Sequence, residues 1–466
     1  MLRFATALAL VHLAAAVPGA RVPPKGFNTF DRYGDINASA LVALGEQLAA
    51  QLLPHGYDTL VLDGGWSETL LPNGTRVQHL DGLGRPVPSP AKFPEGMRPV
   101  ADALHALGLR LGLWIIRGVH GAAERAALPI PSCADAAAAS VDQIVDTHCA
   151  VEAAKNCTCL WDAPWAAVNA SAPCAQAYYD GLAELLVGTY GADFVKIDCV
   201  FGEPEYTDDI ALFARAIDAA SGGAARVSLS PGGEAHPDRG AVVAARGWAT
   251  MYRVVTDFHG TWYGWGGLQQ MAFIAGNFSA ARLAGANGTW PDLDMLPPPD
   301  GARDSPDAPT DKERLMYSLY ALARSPRMYA GTLPADAGSL GLLAHPTLEA
   351  LHARGDAAAP YAYAGNCSCE GDATGSCTIP RDAFPPCVAR WSAAVDGARV
   401  VAWLNIGENA SAPDALALAD AGVPAGAAVA VTDVWANQTL GVVANGSFAV
   451  PSIPPHGVRM YTLTPV

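Results

Sequence analysis

The sequence predicts an α/β fold, a (β/α)8 TIM barrel with a C-terminal antiparallel β-sandwich domain. Three observations carry that prediction. Between residues 22 and 328 eight short apolar runs alternate with Ala- and Leu-rich stretches of helical length, the pattern of βα units repeated around a parallel sheet. After about residue 354 the texture changes to short β-rich runs divided by Gly, Pro and Asn turns, with no helix-period segment between them. The chain of 466 residues is too long for one ordinary core and suits a large barrel plus a smaller domain. The expected organisation is a signal peptide over 1–20, the barrel over 21–354 and the β-sandwich over 355–466.

The eight expected barrel strands are 26–30, 59–63, 110–115, 194–198, 226–230, 251–256, 290–293 and 327–330, the number a closed barrel needs. Expected helices between them include 38–52, 100–107, 175–186, 207–219 and 312–324. A Cys-rich insertion over 117–172 separates the third strand from its next partner and is expected to be a surface excursion. In the second domain, strands are expected in VARWSAAV, ARVVAWLNIG, AVAVTDVWA, SFAV and GVRMYTLTPV, all after residue 388.

Hydrophobic residues make up 51% of the chain and charged ones 16%, so a sizeable core can be buried and wholesale disorder is excluded. The net charge of −16, with no Lys/Arg run to offset it locally, repels phosphate backbones and anionic lipid heads, which excludes nucleic acid as a partner. The first twenty residues carry one Arg, an apolar stretch and small residues suited to cleavage after Ala16 or near Ala20. An apolar run of about 13 residues falls short of the roughly 20 that span a bilayer, so no membrane anchor is expected. Ten of the twelve Asn begin an N-x-Ser/Thr sequon, at 37, 73, 156, 169, 277, 287, 366, 409, 437 and 445. Chance would supply about one, so the pattern points to a eukaryotic secretory route and a glycosylated surface. The expected location is outside the cell, or an acidic organelle of the secretory pathway such as a lysosome or vacuole.

Ten Cys fit the oxidising compartment such a route implies. Cys367, Cys369, Cys377 and Cys387 are expected to pair among themselves. Cys133, Cys149, Cys157, Cys159 and Cys174 crowd another segment, leaving Cys199 to pair with one of those five. A zinc cluster is the competing reading, but paired C-x2-C spacing with nearby His is missing.

In a barrel the reactive side chains come from the C-terminal ends of strands. Asp198 closes ADFVKID, and strand alternation turns Lys196 and Asp198 the same way, into the barrel mouth. A carboxylate beside an ammonium stays ionised, as a nucleophile must, with Lys196 left to serve a ligand hydroxyl; a buried structural Lys–Asp pair is the alternative. Asp257 ends MYRVVTD before the aromatic loop FHGTWYGW, where desolvation is expected to raise its pKa toward that of a general acid; a helix N-cap Asp among core aromatics is the alternative. Arg253 either binds a hydroxyl or steers that carboxylate. Asp63 closes DTLVLDGGW, where the two glycines allow close backbone approach to a ligand or make a tight turn. Asp292, Asp294 and His259 are weaker candidates.

Seven segments, in order, resemble the melibiase-type α-galactosidases, glycoside hydrolase family 27 of clan D. PPKGFNTFD resembles the family's P-P-M-G-W-N-S-W-D, GYDTLVLDGGW resembles G-Y-x-Y-V-N-I-D-D-C-W, and KFPEGMRPVADALHALGLRLGLW resembles F-P-x-G-[ILM]-x-x-L-A-D-x-V-H-x-x-G-L-K-L-G-I-Y. FVKIDCV resembles L-K-Y-D-x-C, MYRVVTDFHGTW resembles W-R-x-x-x-D-I-x-x-x-W, and WPDLDML resembles W-N-D-P-D-M-L. The tail from Val431 is similar to the family's C-terminal β domain, with its D-x-W and P-P-H-G marks. The resemblance implies Asp198 as nucleophile and Asp257 as acid/base of a retaining exo-glycosidase acting on terminal α-D-galactosides through a covalent glycosyl-enzyme. It places Asp63, Lys196 and Arg253 on sugar-contacting positions, with Trp114 in place of a family Tyr and Phe30 in place of a Trp. It implies no metal or organic cofactor, a carbohydrate substrate as partner, and a homodimer as one assembly.

The chain departs from the family where Asp63-Gly64-Gly65 replaces Asp-Asp-Cys, which removes the second carboxylate of a pair gripping the sugar's 4- and 6-hydroxyls. SLSPGGE differs from the family's loop, and Cys199 stands directly after Asp198. Relatives that cleave β-L-arabinopyranosides or α-glucans are alternatives, as are a transglycosylase and a non-catalytic sugar-binding barrel.

Overall fold

A computed structural model describes residues 21–135, 137–146, 157–159, 164–200, 207–230, 237–262, 267–297, 309–365, 367, 387–444 and 446–466. The signal peptide over 1–20, the sequons at Asn156, Asn366 and Asn445, and Cys149, Cys369 and Cys377 lie outside the described residues.

The first domain is a parallel sheet of β1 (Lys25–Asn28), β2 (Thr59–Leu62), β3 (Arg110–Ile116), β4 (Phe194–Asp198), β5 (Arg226–Leu229), β6 (Met251–Arg253), β7 (Trp290–Asp292), β8 (Met295–Leu296) and β9 (Arg327–Tyr329). Its order is β7-β6-β5-β4-β3-β2-β1-β9-β8. The two outermost members, β7 and β8, are separated in the chain only by Leu293 and Asp294, so the sheet closes on itself through one kinked stave. Asp294 makes the kink with a φ of 76°, a left-handed conformation that Asp tolerates better than most side chains. The expected 290–293 strand is therefore two pieces, and the other seven staves stand within a few residues of where the apolar runs put them.

Strand alternation sorts the staves' side chains. Val61, Phe194, Met251, Trp290, Met295 and Met328 form a separate cluster inside the ring. Leu60, Leu62, Leu111, Leu113, Val195, Ile197, Val227 and Leu229 join the outer core under the helices. Residues in phase with the inner cluster face the axis, which puts Asp63 in line with Val61, Lys196 and Asp198 with Phe194, and Arg253 with Met251.

The expected helices form as α1 (Ala38–Gln51), α2 (Arg98–Ala106), α3 (Ala175–Ala183), α4 (Thr207–Ser221) and, further on, α7 (Asp311–Ala323). Asn37 caps α1 by accepting from the Ala40 amide at 3.0 Å, and Thr310 with Glu313 forms a capping box on α7. Helices beyond that list include α5 (Pro237–Arg246), α6 (Leu268–Ala280) and α8 (Pro346–Arg354). Leu268, Met271, Ala272, Ala275 and Phe278 of α6 are buried along with Gln269 and Ser279, so that helix has no polar face to give it an amphipathic period.

The described part of the 117–172 insertion is not a surface excursion. It folds back through a short ribbon, Val119–His120 with Trp165–Ala166, and buries Val119, Ile130, Val141, Ile144 and Val168 in the main core. Disulfides pin it at both ends of that course, Cys133 to Cys174 and Cys159 to Cys199. A third joins Cys367 to Cys387. Cys199 thus pairs with one of those five cysteines and Cys367 with a neighbour of its own group, as the spacing predicted.

Beyond α8 a six-stranded antiparallel sheet comprises β10 (Asp356–Gly365), β11 (Cys387–Val395), β12 (Ala398–Asn405), β14 (Val429–Asp433), β15 (Gln438–Val443) and β17 (Val458–Pro465). A two-stranded sheet of β13 (Asp414–Ala417) and β16 (Ser447–Val450) faces it. Trp391, Ala393, Val400, Ala402, Leu404 and Met460 point to the barrel's helices and share their core. Alternate residues Val401, Trp403, Val431, Tyr461 and Leu463 pack on Leu416 and Val450 to make the sandwich core. At about 1.5–3 kcal/mol per fully buried large apolar side chain, both faces are strongly committed. No helix among the described residues is long and apolar enough to cross a membrane.

Candidate active site

A pocket of about 380 Å³ opens at the C-terminal ends of the staves. Its lining includes Asp63, Lys196, Asp198, Arg253 and Asp257 from the strand ends, Phe30 and Trp114, and, from outside those strands, Gly34, Gly64, Gly65, Glu68, Arg76, Ser230 and Met295. All seven residues singled out from the sequence therefore meet in one cavity.

Asp198 is held at both oxygens. The Trp114 indole Nε1 donates to Oδ2 at 2.8 Å, and the Cys199 amide donates to Oδ1 at 2.7 Å. Cys199 takes a φ of 62° and is tethered to Cys159, so the backbone carrying that amide is fixed from two sides. Burial pushes the Asp198 carboxyl above its ordinary value, while the Lys196 charge and those two donors oppose the rise. The charge assistance expected from Lys196 is present, but desolvation outweighs it.

Lys196 commits one of its three donors within the protein. Its Nζ donates to Asp63 Oδ2 at 2.7 Å in a buried ion pair. Burial alone lowers an ammonium, but Asp63, Asp198 and Asp294 together raise Lys196 above its ordinary value. Asn28 Nδ2 donates to the same Asp63 oxygen at 2.9 Å, and the Gly64 amide donates to Asp63 Oδ1 at 2.9 Å. Asp63 is thereby locked as an acceptor at the pocket floor.

Asp257 sits at the rim with its side chain 55% exposed. Burial acts to raise its pKa, yet the Arg253 charge and hydrogen bond at 2.9 Å prevail and hold it below the usual carboxylate range. The raised pKa expected of this residue is not that of the ligand-free protein. Arg253 itself is buried, pairs with Asp294 at 3.1 Å, and donates to Ser230 Oγ at 3.3 Å; it steers the carboxylate. Asp294 also accepts from the Phe258 amide at 2.7 Å, which fixes the backbone next to Asp257. Asp292 accepts from the Asp294 amide at 3.0 Å; burial and the Asp294 charge push it up to about 7. Phe30 is 45% exposed at the mouth and stacks on His259, ring centroids 6.1 Å apart, while His259 Nδ1 pairs with Asp31 at 3.2 Å.

Sequence reasoning missed Asn28 and the Glu68–Arg76 pair. Asn28 ends β1 as Asp63 follows β2, so the strand-end rule extended to amides would have found it. Glu68 and Arg76 lie on a hairpin, Glu68–Leu70 with Arg76–Gln78, whose turn carries Asn73-Gly74, a strong hairpin signal. No group of three or more His, Cys, Asp or Glu placed to hold a metal ion occurs among the described residues.

Residues 388–463 match the family model of the alpha galactosidase C-terminal beta sandwich domain. A GH27 β-L-arabinopyranosidase from Geobacillus stearothermophilus is 28% identical, with 96% of this chain and 97% of that one covered at a TM-score of 0.78. An α-galactosidase from Saccharomyces cerevisiae shares the fold at 17% identity, with coverage of 97% and 99% and a TM-score of 0.65. By sequence, an α-galactosidase of Cyamopsis tetragonoloba is 30% identical over 107 residues, 22% of this chain and 24% of that protein. An alpha-galactosidase 3 of Arabidopsis thaliana is 31% identical over 102 residues, 22% of this chain and 21% of that protein. Such sequence matches span about a fifth to a quarter of the curated relatives' length.

Proposed function

Because the chain belongs to the melibiase-type family, glycoside hydrolase family 27, we propose that it is a retaining exo-glycosidase releasing terminal α-D-galactose by double displacement. The observation that carries this reading is the meeting of two differently held carboxyls in one pocket. Asp198 is rigid, gripped at both oxygens and aimed from the wall. Asp257 is on the rim, where a departing group leaves.

In the first step Asp257 gives its proton to the leaving oxygen while Asp198 attacks the anomeric carbon; in the second, Asp257 takes a proton from water, which displaces Asp198. The donors on Asp198 make it a better-defined nucleophile, and a leaving group when the glycosyl-enzyme breaks. In the free protein Asp257 lies low in pKa. A substrate whose aglycone covers Phe30 and His259 removes the solvent still reaching Asp257, the direction that raises a carboxyl toward proton donation. Asp63, fixed by Lys196 and Asn28, accepts from ring hydroxyls at the floor. The disulfides and the sequons support an extracellular or acidic secretory-pathway enzyme with a glycosylated surface.

A second reading has its own support: the missing side chain at Gly64 and the likeness to a β-L-arabinopyranosidase. The two substrates share a ring configuration and differ by the hydroxymethyl at C5. The test is release of p-nitrophenol at acidic pH from the α-galactoside, β-L-arabinopyranoside and α-glucoside, with Asp198→Asn and Asp257→Asn beside the wild type. Loss in both variants on the substrate the wild type cleaves sustains the proposal; turnover of none, with monosaccharide bound, replaces it with a sugar-binding barrel.

A further inference from the structure

We infer that Glu68, held by Arg76, recognises the C5 hydroxymethyl group of the bound sugar and makes the pocket selective for hexosides of the galacto type over their pentose counterparts. The inference rests on the sugar-hydrolase reading of the pocket and names which of its two substrates the site is built for.

The argument begins with room. A pyranoside bound with its anomeric carbon against Asp198 and Asp257 presents its ring hydroxyls to the floor, where Asp63 waits as a fixed acceptor. Its bulkiest substituent, the C5 hydroxymethyl, needs a wall set back from the ring. One wall of this pocket is set back in that way, the stretch where Gly64 and Gly65 contribute no side chain. The two glycines are not equivalent. Gly65 takes a φ of 90° and a Cβ there would come within 3.1 Å of the Gly34 carbonyl, so the backbone requires glycine. Gly64 has no such conformation, and a Cβ there meets the Trp114 ring at 3.5 Å, an ordinary contact. The emptiness at 64 is a feature of this sequence and not a demand of the turn.

The second step is chemistry. Behind the glycines stands the hairpin pair, with Arg76 Nη1 donating to Glu68 Oε2 at 3.1 Å. Arg76 Nη1 also lies 3.6 Å from where a Gly65 Cβ would stand, which places the guanidinium directly behind that wall. The Glu68 side chain is 16% exposed and Arg76 58%. Among the described residues Glu68 makes one side-chain bond, through Oε2 to Arg76, which leaves Oε1 available to the pocket it lines. A carboxylate beside a guanidinium offers an acceptor and donors together, which matches a neutral hydroxyl that gives one hydrogen bond and takes another. An anionic C5 substituent is disfavoured, because it would have to displace Glu68 from Arg76.

The readout is the ratio of kcat/KM for p-nitrophenyl α-galactoside to that for p-nitrophenyl β-L-arabinopyranoside, the second substrate lacking only the group in question. Glu68→Ala is expected to lower this ratio by about tenfold or more, the usual weight of a charge-assisted hydrogen bond; Glu68→Gln lowers it less, and Arg76→Ala lowers it through loss of the bond that positions Glu68. Gly64→Asp placed in the Glu68→Ala background returns an acceptor to the same wall and restores the ratio in part. Equal losses on both substrates, or an unchanged ratio, would overturn the assignment. Titration calorimetry with D-galactose and L-arabinose reads the same ratio without turnover, so an inactive protein still decides the point; binding of neither sugar overturns it.

Discussion

The indole of Trp114 and the carboxylate of Asp198 are joined by a 2.8 Å hydrogen bond between neighbouring staves, the geometry set by the register that pairs Trp114 with Lys196 and Ile116 with Asp198. That donor is among the groups opposing the rise of Asp198 on burial. Trp114→Phe keeps an aromatic wall and removes the N–H. Its acid limb of kcat/KM is expected to move to higher pH, because Asp198 must be ionised to attack, with a loss of about tenfold below that limb. A pH profile of the variant beside the wild type checks both.

Asn28 holds Asp63 with a 2.9 Å hydrogen bond, so on the proposed reading it acts on the sugar through that carboxylate. Asn28→Ala removes a donor from an already charged acceptor but leaves Lys196 in place, so KM for the preferred glycoside is expected to rise several-fold with a smaller change in kcat. Lys196→Met, which strips Asp63 of its buried counter-charge, is expected to destabilise the fold by about 3–5 kcal/mol, read as a fall in the urea midpoint.

Stability should favour mild acidity. Asp292 is raised from 3.8 to about 7 and Asp209 to about 6, both chiefly by burial. A carboxyl raised on folding binds protons in the native state that it has lost when unfolded, so its contribution is complete below the unfolded value of 3.8 and is lost as pH rises through the folded value. Urea midpoints are expected to fall as buffer passes from mildly acidic to mildly alkaline, and Asp292→Asn to flatten that slope. Asp257, lowered by Arg253, acts on the other side: its smaller contribution is present above 3.8 and is lost in strong acid.

The Cys159–Cys199 link joins the insertion to the residue after Asp198 across 40 residues. Cys159→Ser with Cys199→Ser is expected to cost about 2–4 kcal/mol of stability and to lower kcat more than it raises KM, since the amide of residue 199 loses its anchor. Matched kinetics and thermal unfolding of the double variant test the two effects separately.

What the sequence made legible follows from where local signals are strong. Runs such as FVKID and LGLWII are short, apolar and bounded, so the staves were readable, and alternation along them placed Lys196 and Asp198 on the inner face before any coordinates. Helix α6 was hidden because LQQMAFIAGNFSA is apolar almost all round. The burial of the insertion was hidden because its Val141 and Ile144 are scattered among polar residues, and only the tertiary contacts gather them. Electrostatics were the least legible. Strand phase put Lys196 beside Asp198, but that its ammonium also donates to Asp63 depends on β2 and β4 standing on either side of β3. The low Asp257 reflects Arg253 of its own segment prevailing over burial, and the high Asp198 reflects burial prevailing over Lys196 of its own strand, balances that local sequence does not weigh. Glu68 was invisible as a site residue because a two-stranded polar hairpin carries no hint of the cavity it overlooks.

Asp294 occupies the kink through which the ring joins its own ends, and the same side chain grips Arg253 and the amide beside Asp257. Seating the final stave and arming the proton donor are consequently a single event. A chain caught with the ring open would carry Arg253 without its buried counter-charge and Asp257 without a guide, whatever the state of Asp198 across the cavity. Refolding followed by regain of turnover should keep step with burial of Trp290.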